Sequence, residues 1–451
     1  MSAETTAQTQ SSTDVAIVGA GLVGCLLACY LARRGLTVTL YERRPDPRRA
    51  DAERGRSINL AISARGLHAL DQIGLTDQAM ADALPMRGRR IHDSAGETLF
   101  TSYSADGTRA INSISRSALN DTLLAAALES PLVTAEFDHR LLRLGLDDGT
   151  LEFETPHGVS MVNAGVVIGA DGASSAVRSR LLSIPGFDFR QDYLDCQYKE
   201  LTIPARDGEF ALDPEALHIW PRGGSMMIAL PNPDRSFTCT LFWPPTGPGS
   251  FDEVRTGEQA LAYFTAHYPD AVPLMPDLVA DYDANPVGSL VTVRCGRWSA
   301  NGRVALIGDA AHAITPFFGQ GANSGFEDVA ELDRCLGEAD GDWSVALPAY
   351  ENARVDNANA IADMALANFV EMSTKSGSRV FQAQKSVQHA FERLLPEHYV
   401  SRYELVSFST IPYAEVVRRT TVPSQARSVA AGIAHRVAAP LRSLSGRGGA
   451  S

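Results

Sequence analysis

The chain has no cysteine pair at metal or dithiol spacing, no apolar run long enough to span a membrane and no broad basic stretch in its main body. Each absence removes a class of function. Its six cysteines (Cys25, Cys29, Cys196, Cys239, Cys295 and Cys335) are scattered without a C-x-x-C, which excludes a zinc ribbon and a thioredoxin-like redox motif. Cys25 and Cys29 share one helix face and read as buried structural thiols, and the whole set suits a reducing cytoplasm. No window reaches the ~18 apolar residues of a membrane span. Lys and Arg number 40 against 53 Asp and Glu, a net charge of −13 over 451 residues, so nucleic acid is not an expected partner. There is neither a metal-spaced His/Cys cluster nor a nucleophile elbow, so no metal and no catalytic side chain is expected. The first thirteen residues lack the basic start and apolar core of a signal peptide and read as a disordered arm.

What is present is organised around Val15-Ala16-Ile17-Val18-Gly19-Ala20-Gly21-Leu22-Val23-Gly24, an apolar run ending in G-x-G-x-x-G. It predicts strand, tight turn and helix. Gly19 permits the turn, Gly21 removes the side chain that would hold a pyrophosphate off the backbone, and Gly24 lets the helix sit close on the strand. The helix N-terminus then faces the phosphates. Leu36 to Tyr41 predicts the next strand, closed by Glu42, where an acid would bond ribose hydroxyls. Two later runs, Ala164 to Gly172 and Gly302 to His312, repeat the pattern of an apolar strand entering small residues and an acid, Asp171 or Asp309. Both predict a return to the same parallel sheet. Gly319 to Gly325 opens a further helix, whose free N–H groups suit a phosphate or an electron-rich ring.

Between these signatures, Arg43 to Arg49 is a Pro-broken charged loop, read either as solvated or as neutralising an adenosine phosphate. Residues 63–83 predict helices, Met86 to His92 a strand, Ser115 the opening of another helix and Val133 to Leu144 a strand. From about 190 to 295, short strands at Leu217 to Pro221, Met226 to Leu230 and Phe237 to Phe242 predict an inserted antiparallel sheet. His218 and Trp220 there read as packing or pocket-wall residues, and His312 as structural rather than a base. From 345 onward the pattern is helical. The tail past Glu415 carries Arg418, Arg419, Arg427, Arg436, Arg442 and Arg447 with no acid, either a frayed end or a loose contact with an anionic membrane surface. The chain divides into an arm (1–13), a discontinuous doubly wound α/β dinucleotide domain (14–85, 104–180 and 296–345), a substrate domain (86–103 and 181–295) and a C-terminal helical region with a basic tail (346–451).

Gly19 to Gly24, Gly169-Ala170-Asp171-Gly172 and Gly308-Asp309 together resemble the aromatic hydroxylase branch of the FAD-dependent monooxygenases. Arg54-Gly55-Arg56-Ser57-Ile58-Asn59-Leu60-Ala61, Pro85-Met86-Arg87, Leu217 to Arg222, Phe237 to Phe242, Gly308 to Gly321 and Asn368-Phe369-Val370-Glu371-Met372-Ser373 resemble its kynurenine-hydroxylating members, over most of residues 14–412. The resemblance implies a Rossmann-like FAD domain with an inserted antiparallel β-sheet and a C-terminal helical cap. It implies FAD as cofactor, NADPH and O₂ as co-substrates, and hydroxylation of L-kynurenine at ring position 3 through a flavin C4a-hydroperoxide, in tryptophan catabolism. Carried over by position, it adds Val23, Tyr41 to Arg44 (Tyr41, Glu42, Arg43, Arg44), Ala61, Arg116, Leu141, Asp309, Ala322 and Asn323 to the three glycines around FAD. It sets Arg89, Tyr103, Asn368 and Tyr403 around the kynurenine amino acid, Glu371 and Met372 in the same pocket, and Phe317 and Phe318 beside the reactive flavin face.

Two departures stand out. Eukaryotic members end in a hydrophobic anchoring segment where this chain has only its Arg-rich tail, which implies a soluble enzyme, and Phe369 stands where members often have Tyr. The chain has no second strand-linked G-x-G-x-x-G, so NADPH is expected to visit the surface transiently. A substituted kynurenine or another anthranilate-like ring is the alternative substrate. A non-hydroxylating flavin scaffold is the alternative of another class, and it would have no need of Arg89, Tyr103, Asn368 and Tyr403 together.

Overall fold

The computed structural model describes residues 11–49, 59–104, 106–372 and 401–421. The opening apolar run becomes β1 (Ser11–Val18), at the centre of a parallel sheet. β2 (Val38–Tyr41) and β8 (Val133–Glu136) follow on one side, β11 (Gly158–Gly169) and β18 (Val304–Leu306) on the other. Val15, Ala16 and Ile17 are consecutive and fully buried, so both faces of the strand are covered. The covering helices are α1 (Leu22–Arg33), α2 (Ala64–Gln72), α3 (Thr76–Ala79), α4 (Arg116–Leu128), α5 (Ala176–Leu181), α8 (Asp309–His312), α9 (Gly321–Glu338) and α10 (Trp343–Val370). β9 (Arg140–Leu144), β10 (Thr150–Thr155) and β17 (Ser299–Ala300) extend this sheet in antiparallel fashion. The strand order turns back between β1 and β11, and a crevice opens there at the carboxyl ends of the strands, the usual ligand position of a doubly wound sheet.

A second sheet has the order β16 (Gly288–Cys295), β12 (Phe189–Ile203), β15 (Phe237–Trp243), β14 (Met226–Pro231), β13 (Ala216–Pro221), β5 (Gly88–His92) and β6 (Thr98–Ser102). Its two faces differ. Met227, Ala229, Cys239, Leu241 and Trp243 pack with Phe264 of α6 (Gly257–His267), with Tyr268 beyond it, and with Leu278 and Tyr282 of α7 (Leu278–Ala284). The alternate residues turn to the crevice. A small third sheet, β3 (Asn59–Ile62), β7 (Ile111–Ser115) and β4 (Leu84–Met86), bridges the two, and α11 (Arg402–Phe408) and α12 (Tyr413–Arg419) close over the end.

Three sequence expectations need correction. Ser11 to Thr13 are not part of an arm: they pair with Val162 to Ala164, because β11 is long enough to offer β1 a parallel edge that far. Val133 to Leu144 is two strands, broken at Asp138 with φ 57°, with β8 parallel to β2 and β9 antiparallel to β10. The second sheet has one parallel pairing, β13 with β5, because β5 arrives from a distant part of the chain. Residues 1–10, the segment 54–58, Ser373 and the tail arginines from Arg427 on lie outside the described residues. Among the described residues, no helix is long and apolar enough to cross a membrane.

His218 and Trp220 sit on the packing side of the second sheet. His218 is fully buried, its Nε2 2.9 Å from the Asp213 carbonyl and its Nδ1 2.9 Å from His92 Nε2. Trp220 donates to Asp270, which also meets His92 Nδ1 at 2.7 Å. Burial pushes the His218 pKa down to about 4 from 6.5. Between those values the unfolded chain takes up a proton here that the folded chain refuses, so stability declines as pH falls through that window. Denaturant titrations at pH 7 and pH 5 should show this decline, and His218→Gln should make it shallower.

Candidate active site

The three glycines of the first turn have three different surroundings. A Cβ on Gly19, whose φ is +109°, would lie 2.4 Å from the Ala170 carbonyl oxygen, and one on Gly24 would lie 2.1 Å from the Gly19 carbonyl oxygen. These two let α1, β1 and the end of β11 meet backbone to backbone. Gly21 has nothing within 4 Å of its Cβ position and lines the crevice. A phosphate can approach the backbone there, at the N-terminus of α1. Glu42 secures the turn: its Oε2 accepts from Ala20 N–H at 3.1 Å, and its Oε1 accepts from Arg44 Nε at 2.9 Å. Although burial works against it, Arg44 holds the Glu42 carboxyl below its ordinary value.

Around this cradle the crevice is lined by Val23, Ala61, Arg116, Asp309 and Ala322. Arg116 opens α4 behind the Ser115 cap and makes no ion pair among the described residues, so its charge is available to an anion. Asp309 follows Gly308, whose φ of 59° turns the chain from β18 into α8. That turn is clamped by the buried Asp328, which accepts from Gly308 N–H at 3.0 Å, meets His312 Nε2 at 2.5 Å and accepts from Arg354 Nε at 2.6 Å. His312, stacked on Trp298, is thus a brace for the turn.

Several expected FAD residues contribute differently. Asn323 is fully buried, and its side chain joins Ser63 N–H, Gly66 N–H, the Ala61 carbonyl and the Gly319 carbonyl, leaving its backbone at the start of α9 for a ligand. The Tyr41 ring is stacked on Phe153, and Leu141 stands opposite Phe153 in the core, so neither side chain reaches the crevice. Arg43 and Arg44 are exposed, and Glu42 is the partner of Arg44.

Of the four residues expected around the amino acid, Arg89 and Tyr403 line the crevice, and Tyr103 packs against Tyr403. Arg89 lies 4.4 Å from the Tyr403 ring centre and 5.6 Å from that of Tyr103, and the two rings stack at 5.0 Å. Its neighbours behave otherwise: Arg87 faces Glu215 at 3.7 Å and Arg90 pairs with Asp213 at 2.7 Å. Arg89 has no carboxylate partner among the described residues; its Nε is buried without a hydrogen-bond partner among them, and its charge interacts with the Tyr103 and Tyr403 hydroxyls. Burial pushes the Tyr103 phenol well above its ordinary pKa, so it stays a hydrogen-bond donor. Phe317, Phe318 and Met372 line the same space, Phe317 against Phe242 and Phe369 and Phe318 against Tyr403. Asn368 and Glu371 do not face the cavity itself: the Asn368 amide donates to the Phe317 carbonyl and to Met372 Sδ, while Glu371 is half-buried at the end of α10.

The sequence reading missed one wall of the crevice. Met226, Ile228 and Leu230 of β14 and Thr240 and Phe242 of β15 all line the crevice. The period-two spacing was visible, but which face would meet a ligand depends on α6 and α7 covering the other.

Replacing Gly21 with Val should leave the thermal midpoint of flavin-stripped protein unchanged and abolish co-purification of flavin. Gly24→Ala should destabilise the fold itself by about 1–3 kcal/mol through overpacking. Flavin absorbance and thermal melts separate the two roles.

A family model described as an FAD binding domain matches residues 12–365. A kynurenine 3-monooxygenase of Myxococcus xanthus is 49% identical over 402 residues, covering 88% of this chain and 86% of that protein. One from Sus scrofa is 41% identical over 412 residues, covering 90% and 86%. Among solved structures, p-nitrophenol 4-monooxygenase PnpA of Pseudomonas putida aligns with a TM-score of 0.67 at 19% identity, covering 85% of this chain and 94% of that one. PqsL of P. aeruginosa, in complex with 2-aminobenzoylacetate, aligns at 0.65 and 22%, covering 83% and 99%. These two likenesses concern the fold alone. The glycine cradle fits the dinucleotide of an FAD binding domain, and identity at this level runs along about nine tenths of the sequence, so the chain belongs to the kynurenine 3-monooxygenase family of FAD-dependent hydroxylases.

Proposed function

We propose that this protein hydroxylates L-kynurenine at ring position 3, consuming NADPH, a proton and O₂ and releasing 3-hydroxykynurenine, NADP⁺ and water. The observation that supports the residue-level reading is the Arg89 guanidinium, without a carboxylate partner among the described residues, beside the stacked rings of Tyr103 and Tyr403 in the same cavity as Gly21 and Asp309. Bound FAD supplies the electrons taken from NADPH and the activation of O₂ that makes one oxygen atom electrophilic.

The protein's own residues do the rest. Gly21 and the N-termini of α1 and α9 would receive the cofactor's phosphates and ring, Glu42 its ribose, Arg116 its adenosine side and Asp309 its ribityl chain. Arg89 takes the kynurenine carboxylate through two parallel charge-assisted hydrogen bonds, a geometry open to a planar guanidinium and closed to an ammonium. Tyr103 and Tyr403 steady the guanidinium by ring contact and donate to the same carboxylate. Asn368 holds Phe317, and the apolar wall of β14 and β15 excludes water from the reacting ring. No side chain need act as a base, because the ring amino group already enriches the attacked carbon.

In this reading residues 14–85, 104–180 and 296–345 hold the cofactor, residues 86–103 and 181–295 form the substrate wall, and the helices from 346 onward close the site. The six cysteines, all buried and unpaired, support a cytoplasmic location.

Purified flavin-loaded protein given NADPH and a panel of kynurenine analogues, with products read by mass, tests the substrate. Kynurenine-stimulated NADPH oxidation with a hydroxylated product is expected, and the absence of both would falsify the proposal. Arg89→Ala should lose about 2–5 kcal/mol of substrate interaction, roughly 30-fold to several-thousand-fold in kcat/KM. Arg89→Lys should also be impaired, Arg87→Ala should match the parent, and FAD content should be retained throughout.

A further inference from the structure

The wall that faces the reacting ring contains one feature that apolar packing does not explain. Met226, Ile228, Leu230 and Phe242 are apolar, and among them stands Thr240, which is 1% exposed. Its Oγ1 is buried and has no hydrogen-bond partner among the described residues. Thr240 lies opposite Ile228 on β14 and opposite Glu200 on β12, and it bonds to neither strand through its side chain. A valine would fill this strand position with the same shape. A hydroxyl left unpaired in such a place is destabilising, and a ligand that pairs with it removes that cost.

We propose that the Thr240 hydroxyl accepts a hydrogen bond from the ring amino group of the substrate and thereby decides which ring carbon is oxidised. This inference rests on the kynurenine reading above. Kynurenine has two polar groups on its aromatic end, an aryl ketone and an amino group ortho to it. One amino N–H turns back to the ketone oxygen and closes a six-membered ring. The other points outward and requires an acceptor when the ring is buried, and the Thr240 oxygen offers its lone pairs.

The consequence concerns regiochemistry. The amino group enriches carbon 3, ortho to it, and carbon 5, para to it, so electronic activation alone does not choose between them. Turning the ring by half a revolution about the axis through the ketone-bearing carbon exchanges these two positions while leaving the amino acid on Arg89. The Arg89 clamp therefore fixes the distance of the ring from the reacting centre but not its face. An acceptor on one side of the ring breaks that symmetry, and Thr240 is the polar side chain of the β14–β15 wall placed to do so.

Flavin-loaded parent, Thr240→Val and Thr240→Ser are compared with kynurenine and with its analogue lacking the ring amino group. Measured are KM, the fraction of oxidised NADPH recovered as hydroxylated product, the ratio of 3- to 5-hydroxy isomers and, for the analogue, its binding constant. Thr240→Val should raise the kynurenine KM about tenfold, the loss of one hydrogen bond. It should lower product recovery in favour of hydrogen peroxide and release the 5-hydroxy isomer. Thr240→Ser should restore all three, and binding of the amino-free analogue should be the same in every variant. A Thr240→Val protein with the parent's KM, recovery and isomer ratio overturns the assignment, as does an equal loss for the amino-free analogue, which would make Thr240 a packing residue. A parent that forms no hydroxylated kynurenine overturns the substrate reading itself, whereas product from the parent with an indifferent Thr240→Val overturns only the role of Thr240.

Discussion

The cavity depends on one buried carboxylate. Asp328, on the inner face of α9, is fully buried, and although burial works against its charge, His312 and Arg354 hold its pKa below the usual carboxylate range. It joins the Gly308 turn to α10, and the ionic chain continues from there. Arg354 reaches Glu327 at 2.5 Å, Glu327 reaches Arg65 of α2 at 2.5 Å, and Arg65 donates to the Val406 carbonyl in α11 while its guanidinium lies 3.8 Å from the centre of the Tyr413 ring. The turn that presents Asp309 and the helix that presents Tyr403 are thus tied through continuous charge-assisted hydrogen bonds. Removing one member of such a buried set leaves an uncompensated charge and costs about 3–5 kcal/mol.

The second constraint is the two-sidedness of the larger antiparallel sheet. One face is spent on Trp243, Phe264, Tyr268 and Tyr282, and that packing leaves the other face free to serve as a rigid wall. Ligand-contacting side chains on strands are held by both neighbours in the sheet, so the wall keeps its shape whether or not a ring lies against it. β5 joins that sheet in parallel and puts Arg89 beside Leu217 on the cavity face, while His92 and His218 fall on the packed face. The clamp and the wall therefore belong to one rigid element.

Much of the cofactor end was legible in the sequence, because its requirements are local. The turn needs glycine at Gly19 and Gly24 for backbone contact and at Gly21 for space, and all three stand within six residues of one another. Arg89 was singled out only through the family resemblance, since it looks no different in sequence from Arg87 and Arg90, and what separates them is the acid that each neighbour meets and that Arg89 lacks among the described residues. For Asp328 and Glu327, nothing local in the sequence announces that Arg354 and Arg65 will converge on them. Thr240 was invisible for the same reason: its hydroxyl becomes unusual only once Met226, Ile228 and Phe242 have enclosed it. Tyr41 and Leu141 show the reverse case, where position in the family pattern points to the cofactor and the ring and side chain serve the core beneath it.

If Arg89 anchors the substrate as proposed, the cavity walled by β14 and β15 decides where oxygen enters the ring. The most direct test is the identity of the product formed by the flavin-loaded protein from kynurenine and NADPH under isotopically labelled O₂, separated by chromatography and assigned by NMR. The account predicts 3-hydroxykynurenine carrying one labelled oxygen atom, with no 5-hydroxy isomer. A mixture of the two isomers, or NADPH oxidation indifferent to kynurenine, would contradict it.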